Sequence, residues 1–316
     1  MTSNSPLVAL LKPVLPGLVR MREVLAAQVG DGSPAVRDMT DHVSRFQGKQ
    51  LRGALVLLVG EATGNSTDEH ATIAAIVEMI HLATLVHDDI LDGAKVRRKV
   101  ACVNERWDNQ VAVLLGDFLY ARAFALSTEL SSRLCSRLLS ETTRRICVGE
   151  IEQSTRRYDF ELAQERYEGI AGAKTATLYA AACELGARYP AGNEEVGAAM
   201  RAFGWELGLS FQIVDDCLDL VADEAELGKS AGTDVADGKV TLPVLWTYAR
   251  ADESLRAKIR DVYTRPGLEQ RAAHVREACD WKPGLDYAYA RAEALIDSAR
   301  ARLARLPEGT SRAALE

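Results

Sequence analysis

Between Pro34 and Pro190 the chain has no proline, a gap of 155 residues in a sequence of 316. Proline inside a helix removes a hydrogen bond and clashes with the preceding turn, so the gap leaves room for long helices. Its residues are rich in Ala, Leu, Val, Arg and Glu, which favour helix. The apolar–polar alternation bounded by turn residues that marks a strand is missing from it. The six cysteines (102, 135, 147, 183, 217, 279) contain no C-x-x-C pair. Their scatter in a chain of this size argues against a disulfide framework and suits reduced, buried thiols. No uninterrupted apolar run reaches the 18 or so residues of a membrane span. The apolar stretch Leu7–Val19 contains Lys12, Pro13 and Pro16 and has no basic segment before it, so it is not read as a signal peptide. Positive charge is in deficit: a formal net charge of −7 gives no support to nucleic-acid binding. These absences lead to the expectation of a cytoplasmic protein with no transmembrane segment and no nucleic-acid partner.

What is present is helical. Periodicity and capping signals predict helices over roughly 5–29, 34–46, 50–63, 68–93, 109–132, 134–156, 161–187, 193–222, 240–250, 252–264 and 284–305. Ala71–Val86 and Val111–Leu126 are apolar almost all round, as expected of helices inside a bundle. No low-complexity linker or composition break appears, so residues 1–316 are expected to form a single all-α domain.

Two short acidic segments carry the chemistry. Asp88-Asp89-Ile90-Leu91-Asp92 and Asp215-Asp216-Cys217-Leu218-Asp219 both read D-D-x-x-D, 127 residues apart. On a helix the first and fifth residues share a face, one turn apart. At an effective dielectric of 20, two like charges about 4 Å apart cost roughly 4 kcal/mol. A helix C-terminus already carries partial negative charge, which makes a solvated acidic end poor physics for the first segment. Bound cations resolve the conflict. An all-oxygen donor set suits Mg²⁺, which keeps its waters and is usually shared with phosphate. Arg97-Arg98 follow the first segment, and the planar guanidinium fork matches phosphate oxygens. Gly228-Lys229-Ser230-Ala231-Gly232-Thr233-Asp234 and Asp237-Gly238-Lys239 follow the second. Gly228-Lys229-Ser230 resembles the end of a phosphate-binding P-loop, but Asp223 stands where that motif needs glycine and no strand precedes it. A His–Asp phosphohydrolase built on His87-Asp88 with His42 or His81 leaves the second acidic segment without a role. Gly48-Lys49-Gln50-Leu51-Arg52 and Lys174-Thr175, taken alone, read as ordinary basic turns.

Taken in order, the segments resemble the trans-isoprenyl diphosphate synthase (polyprenyl synthetase) family. They are G-K-x-x-R at 48–52, H-D-D-x-x-D at 87–92, R-R at 97–98 and L-L-G-D-F-L at 114–119. K-T at 174–175, F-Q-x-x-D-D-x-L-D at 211–219 and G-K…G-T-D…G-K-x-T-L-P at 228–243 follow. The resemblance implies an all-α fold around a deep central cavity, commonly a homodimer, with the two acidic segments facing each other across its mouth. About three Mg²⁺ ions would be held by Asp88, Asp92 and Asp215, supported by Asp89, Asp216 and Asp219. Arg97, Lys174, Lys229 and Lys239 would neutralise an allylic diphosphate, and Lys49, Arg52, His81 and Arg98 would bind isopentenyl diphosphate. Thr175, the Lys174 carbonyl and Gln212, with Phe211 beside it, would lie near the allylic cation. The implied reaction lengthens an all-trans polyprenyl diphosphate by attack of isopentenyl diphosphate on that cation.

Three departures stand out. Gly53 replaces the family's usual proline, Lys99 the glycine after the arginine pair, and Ala173 the glycine before Lys174. The sequence stops at Glu316, short of the family's last basic segment, which is expected to weaken closure near Lys229. Ala83 and Thr84 stand where short-chain synthases often carry a bulky aromatic, so a product of about C30 or longer is expected. Phe118, Tyr120 or Phe124 on the neighbouring helix are alternative floors. The other readings are a farnesyl or geranylgeranyl diphosphate synthase, a non-catalytic subunit of a heteromeric synthase, and a class I terpene cyclase. The cyclase needs Ser or Thr where Asp219 stands and Glu where Asp223 stands.

Overall fold

The computed structural model describes residues 6–30, 33–46, 48–221 and 232–316. Lys229, with Gly228, Ser230 and Ala231 around it, lies outside the described residues. Among those described, the only strands are Val96–Arg97 (β1) and Val100–Ala101 (β2), paired as an antiparallel hairpin. The rest of the regular structure is helical, so the all-α expectation holds.

The helices are α1 (Pro6–Leu10), α2 (Leu15–Val29), α3 (Pro34–Ser44), α4 (Leu51–Thr63), α5 (Glu69–Leu91), α6 (Val103–Arg106) and α7 (Asn109–Thr128). They continue as α8 (Leu134–Thr155), α9 (Gln164–Ala171), α10 (Thr177–Arg188), α11 (Glu194–Val221) and α12 (Thr233–Ala236). The last are α13 (Leu242–Arg250), α14 (Glu253–Thr264), α15 (Arg271–Arg276), α16 (Lys282–Arg302) and α17 (Thr310–Leu315). The helix expected over 5–29 is broken: a 3₁₀ turn at Lys12–Val14 separates α1 from α2, where Pro13 and Pro16 each remove a backbone donor. The helix expected over 161–187 is interrupted by a π-helical turn at Gly172–Ala176. The short helices α6, α12, α15 and α17 were not expected; four to six residues are too few for a periodic signal.

The described chain groups into two compact units. The first comprises residues 1–143, 178–205 and 299–316, the second 144–177 and 206–298. In the first, α5 packs on α7, α2 and α4. Ile73, Ala74, Ala75, Ile76, Val77, Met79 and Ile80 are fully buried, which is why α5 has no polar face along its middle. In the second unit α13 packs on α9 and α14, and α15 on α12 and α14.

Two helices bear on the membrane reading. By length and overall apolarity, α5 and α7 are each sufficient to cross a membrane, although neither is an uninterrupted apolar run. In α5, 72% of the apolar window is buried inside the protein, so its hydrophobicity belongs to the core. In α7 the share is 39%, and Val113 and Leu114 remain 43% and 60% exposed.

Candidate active site

The first acidic segment closes α5. Asp92 is the residue that caps the helix, its N–H bonding back to the Asp88 carbonyl at 2.8 Å, and Gly93 turns the chain at φ +60°. Asp88 is half-buried and Asp92 exposed, on one face of the last turn. Asp89 points elsewhere. It is 1% exposed and pairs with Arg97, whose Nε donates to Oδ1 at 2.8 Å and whose Nη2 lies 2.7 Å away. Burial and the Asp89 charge push the nearby Cys102 thiol up to about 12. Asp89 therefore anchors the hairpin that presents the two arginines.

The hairpin turn itself is Arg98-Lys99, at φ +51° and +66°. Arg98 donates to the Phe46 carbonyl, and its guanidinium covers Gly48 so closely that a Cβ there would lie 2.4 Å from it. Gly48 thus makes room for Arg98. Arg52, in the first turn of α4, donates from Nη1 to Nε2 of His81 at 3.1 Å and lies over the Tyr179 ring, 4.3 Å from its centroid. Burial, then the charges of Arg52, Arg98 and Arg97, hold His81 well below the usual imidazole range, so it stays neutral and accepts this bond. Lys49 is exposed and makes no hydrogen bond or ion pair with a described residue. Of the acids near these cations, Asp89 is paired with Arg97, and burial pushes the Glu78 carboxyl up towards its neutral form.

In the second unit, α11 carries the other acidic segment. Asp215 is half-buried. Asp216 is buried and accepts from Tyr167 Oη at 2.5 Å and from Gln212 Nε2 at 2.7 Å. Gln212 in turn accepts from Thr175 Oγ1 at 2.6 Å. Burial raises the Asp216 carboxyl to about 6, with the charges of Asp215 and Asp219 acting in the same direction. Asp219 is 2% exposed and receives the Thr233 hydroxyl at 3.1 Å and the Asp234 N–H at 3.0 Å. Its carboxylate ties the Gly232-Thr233-Asp234 loop to α11. Asp234 is raised well above the carboxylate range by burial and by Asp216 and Asp219. Phe211 is 48% exposed on α11.

The π-helical turn places Lys174 and Thr175 side by side, and such insertions often mark functional positions. Lys174 Nζ donates to Gln153 at 2.5 Å and lies 2.9 Å from Glu150. Lys239 lies 3.0 Å from Asp237 and 3.7 Å from Asp234. Its segment is held by Tyr158, whose N–H donates to the Gly238 carbonyl at 2.7 Å and whose ring would meet a Cβ at Gly238 at 2.5 Å.

Sequence reasoning missed Glu78, Tyr167, Glu150, Gln153 and Tyr158, and gave Asp234 no role of its own although it quoted the segment. Glu78 left a signal, a lone acid in an otherwise apolar run three residues before His81. The others have none, since each acts through a partner distant in sequence or across an irregular loop.

Two of the three departures have physical counterparts. The Gly53 N–H donates to Glu78 Oε1 at 2.9 Å, a bond proline cannot make, and a Cβ there would meet Met21 Sδ at 2.5 Å. The Ala173 methyl is opposed by Gly149, whose own Cβ would lie 2.8 Å from it, so the bulk has moved to the other side of one contact. Lys99 has no such compensation: it occupies a left-handed position that glycine adopts without strain.

Ala83 is fully buried, whereas Thr84 is partly exposed and donates to the His81 carbonyl at 2.8 Å. On α7, Tyr120 stacks on Phe124 with centroids 6.4 Å apart and lies 5.9 Å from His87. The hard oxygen donors Asp88, Asp92 and Asp215 fit Mg²⁺ chemically. Among the described residues, no three acidic, imidazole or thiol side chains gather to hold an ion unaided.

The family model for polyprenyl synthetase matches residues 33–280. A protein described as all-trans-nonaprenyl-diphosphate synthase (geranyl-diphosphate specific), from Rhodobacter capsulatus, is 36% identical over 97% of this chain and 94% of its own length. Heptaprenyl diphosphate synthase component 2 of Bacillus subtilis strain 168 is 34% identical over 89% of this chain and 80% of its own. The crystal structure of a polyprenyl synthase from Caulobacter crescentus CB15, complexed with calcium and isoprenyl diphosphate, superposes with a TM-score of 0.92 at 34% identity, over 100% and 96% of the two chains. Fold and motifs together define an all-helical prenyltransferase. The chain belongs to the polyprenyl synthetase family.

Proposed function

We propose that this chain extends an allylic diphosphate with isopentenyl diphosphate to give an all-trans polyprenyl diphosphate of medium to long chain, about C30 or more. The observation that carries the reading is the presence of acids and bases together in each unit: Asp88 and Asp92 with Arg97, and Asp215 with Lys174 and Lys239. When bound, about three Mg²⁺ ions would offset the charge of the leaving diphosphate. Asp88, Asp92 and Asp215 are the side chains that would hold them. Asp89 orients Arg97, Asp216 orients Gln212, and Asp219 fixes the loop that leads to Lys239. Arg97, Lys174 and Lys239 bind the allylic diphosphate, and Lys229, outside the described residues, is assigned with them from the motif. Lys49, Arg52, His81 and Arg98 bind isopentenyl diphosphate, with His81 neutral. Thr175 and Gln212 direct oxygen dipoles towards the developing allylic cation, and Phe211 borders it.

The names of the relatives above, nonaprenyl and heptaprenyl, support a long product. The absence of an aromatic at Ala83 and Thr84 does so independently. A geranylgeranyl or farnesyl product is the alternative reading. The whole chain is assigned as one catalytic domain acting in the cytoplasm as a homodimer, for which the exposed apolar residues Val113 and Leu114 of α7 provide surface. The match to a synthase component leaves a heteromeric partner as the competing reading, and the intact acidic segments favour a catalytic role.

The test is incubation with labelled isopentenyl diphosphate and farnesyl diphosphate, with and without Mg²⁺. Label is expected in Mg²⁺-dependent products of C30 or longer. If no lengthened product forms, the non-catalytic subunit is the better assignment; if elongation stops at C20, the short-chain reading is.

A further inference from the structure

A second concentration of unbalanced charge lies in the first unit, and it is positive. A cavity of about 710 Å³ is lined by Ser132, Arg133, Ser136, Arg137, Arg188 and Glu194 together with uncharged residues. Glu194 is the one acid among these lining residues, and Arg188 already holds it at 2.8 Å. Arg188 also binds Glu184 at 2.6 Å, while its Nε is buried without a hydrogen-bond partner. Gly197 permits this placement, since a Cβ there would lie 2.1 Å from the Arg188 side chain. Arg133 and Arg137 are different: neither side chain makes a hydrogen bond or ion pair with any described residue. They stand one helical turn apart at the start of α8, where like charges repel. The chain as a whole has 45 acidic residues against 38 basic ones, yet among the described residues no carboxylate pairs with either. The physical conflict mirrors that of the aspartate segments with the sign reversed.

The place is remote from the first aspartate segment. Ser131, beside the cavity, donates its N–H to Glu69 at 2.8 Å, and Tyr189 donates to the same carboxylate at 2.6 Å. Glu69 opens α5 and Asp88 lies in its last turn. Nineteen residues of helix separate them, about 28 Å at 1.5 Å per residue.

We propose that this cavity binds a phosphate-bearing anion of diphosphate size through Arg133 and Arg137. The fork of arginine matches phosphate oxygens, and the amino-terminal end of α8 carries partial positive charge of the right sign. Ser132 and Ser136 supply neutral hydroxyls at the rim. Such a group can be free in solution or can be the headgroup of an anionic lipid. Neither aspartate segment takes part, so the proposal stands apart from the catalytic assignment.

The test uses the full-length chain in Mg²⁺-free buffer and titrates inorganic diphosphate calorimetrically against wild type and the Arg133→Gln/Arg137→Gln double variant. Both exposed positions tolerate glutamine, and an unchanged melting temperature verifies folding. The basic cluster around Arg52 is intact in both proteins, so any binding there cancels in the comparison. Wild type is expected to show a binding event that the variant lacks or binds at least tenfold more weakly. In parallel, co-sedimentation with phosphatidylcholine vesicles with and without phosphatidic acid distinguishes the sources. Arginine-dependent sedimentation with the anionic vesicles assigns a lipid headgroup, and arginine-dependent binding of diphosphate alone assigns a soluble anion. Superimposable isotherms together with equal sedimentation of the two proteins would overturn the proposal.

Discussion

At the scale of single residues, the site is organised by groups that never touch substrate. Glu78 is the clearest case. It is an acid in the core of α5, held towards neutrality by burial, and it receives the Gly53 N–H. The family's usual proline at position 53 would leave that carboxyl short of a donor. Gly53→Pro is therefore expected to lower unfolding free energy by about 1–3 kcal/mol, and to lower it further by driving a ring into Met21. Urea unfolding checks this, and an unchanged midpoint would remove Glu78 from the account. Tyr167 plays the corresponding part in the second unit. Removing its hydroxyl leaves buried Asp216 with Gln212 alone, so Tyr167→Phe is expected to cost about 1–3 kcal/mol and to reduce elongation more than it reduces helix content by circular dichroism. Tyr167 was invisible in the sequence because nothing in a linear pattern marks a tyrosine 49 residues from the aspartate it serves. The charged residues themselves were legible, since like charges in one helical turn need a reason.

Elements show a similar division. The long helices followed from the proline gap and the all-round apolar segments, and α8 and α11 end within a residue or so of expectation among the described residues. Two irregularities escaped: the π-helical turn carrying Lys174 and Thr175, and the hairpin carrying Arg97 and Arg98. Both are too short to leave a period, and the hairpin turn uses Arg98 and Lys99 in left-handed conformations where Asn-Gly is the usual signal. On α5 the structure also separates two neighbours that the sequence treated alike. Ala83 has no exposed surface, so phenylalanine there overpacks the core, typically by about 1–3 kcal/mol. Thr84 has surface available. Thr84→Phe is expected to shorten the product by at least one C5 unit with elongation retained, read by chromatography of the dephosphorylated prenols. An unaltered length distribution would move the floor to the aromatics of α7.

For the molecule as a whole, stability carries a pH signature. His70 is buried, accepts from the Thr67 N–H at 3.0 Å and lies 3.2 Å from the Gly186 carbonyl. Burial holds its folded-state affinity for protons below that of the unfolded chain. The unfolded state then binds more protons as pH drops through about 6.5, so this residue's stabilisation is present above that pH and is lost below it. Asp216 and Glu78 are shifted upwards and act with the opposite sign, so the difference between wild type and His70→Asn isolates the effect. That difference is expected to shrink between pH 7.5 and 5.5 in denaturant titrations; a constant difference would rule out His70 as its source. The catalytic account rests on something simpler, the proposal that turnover needs both aspartate segments. The measurement that bears on it most directly is the Mg²⁺-dependent rate of diphosphate release from farnesyl and isopentenyl diphosphates by wild type, Asp88→Ala, Asp215→Ala and the double variant. Residues that act as a unit lose activity non-additively, so each single variant is expected to fall by about a thousandfold or more and the double variant little further. Near-wild-type turnover by either single variant would contradict the account.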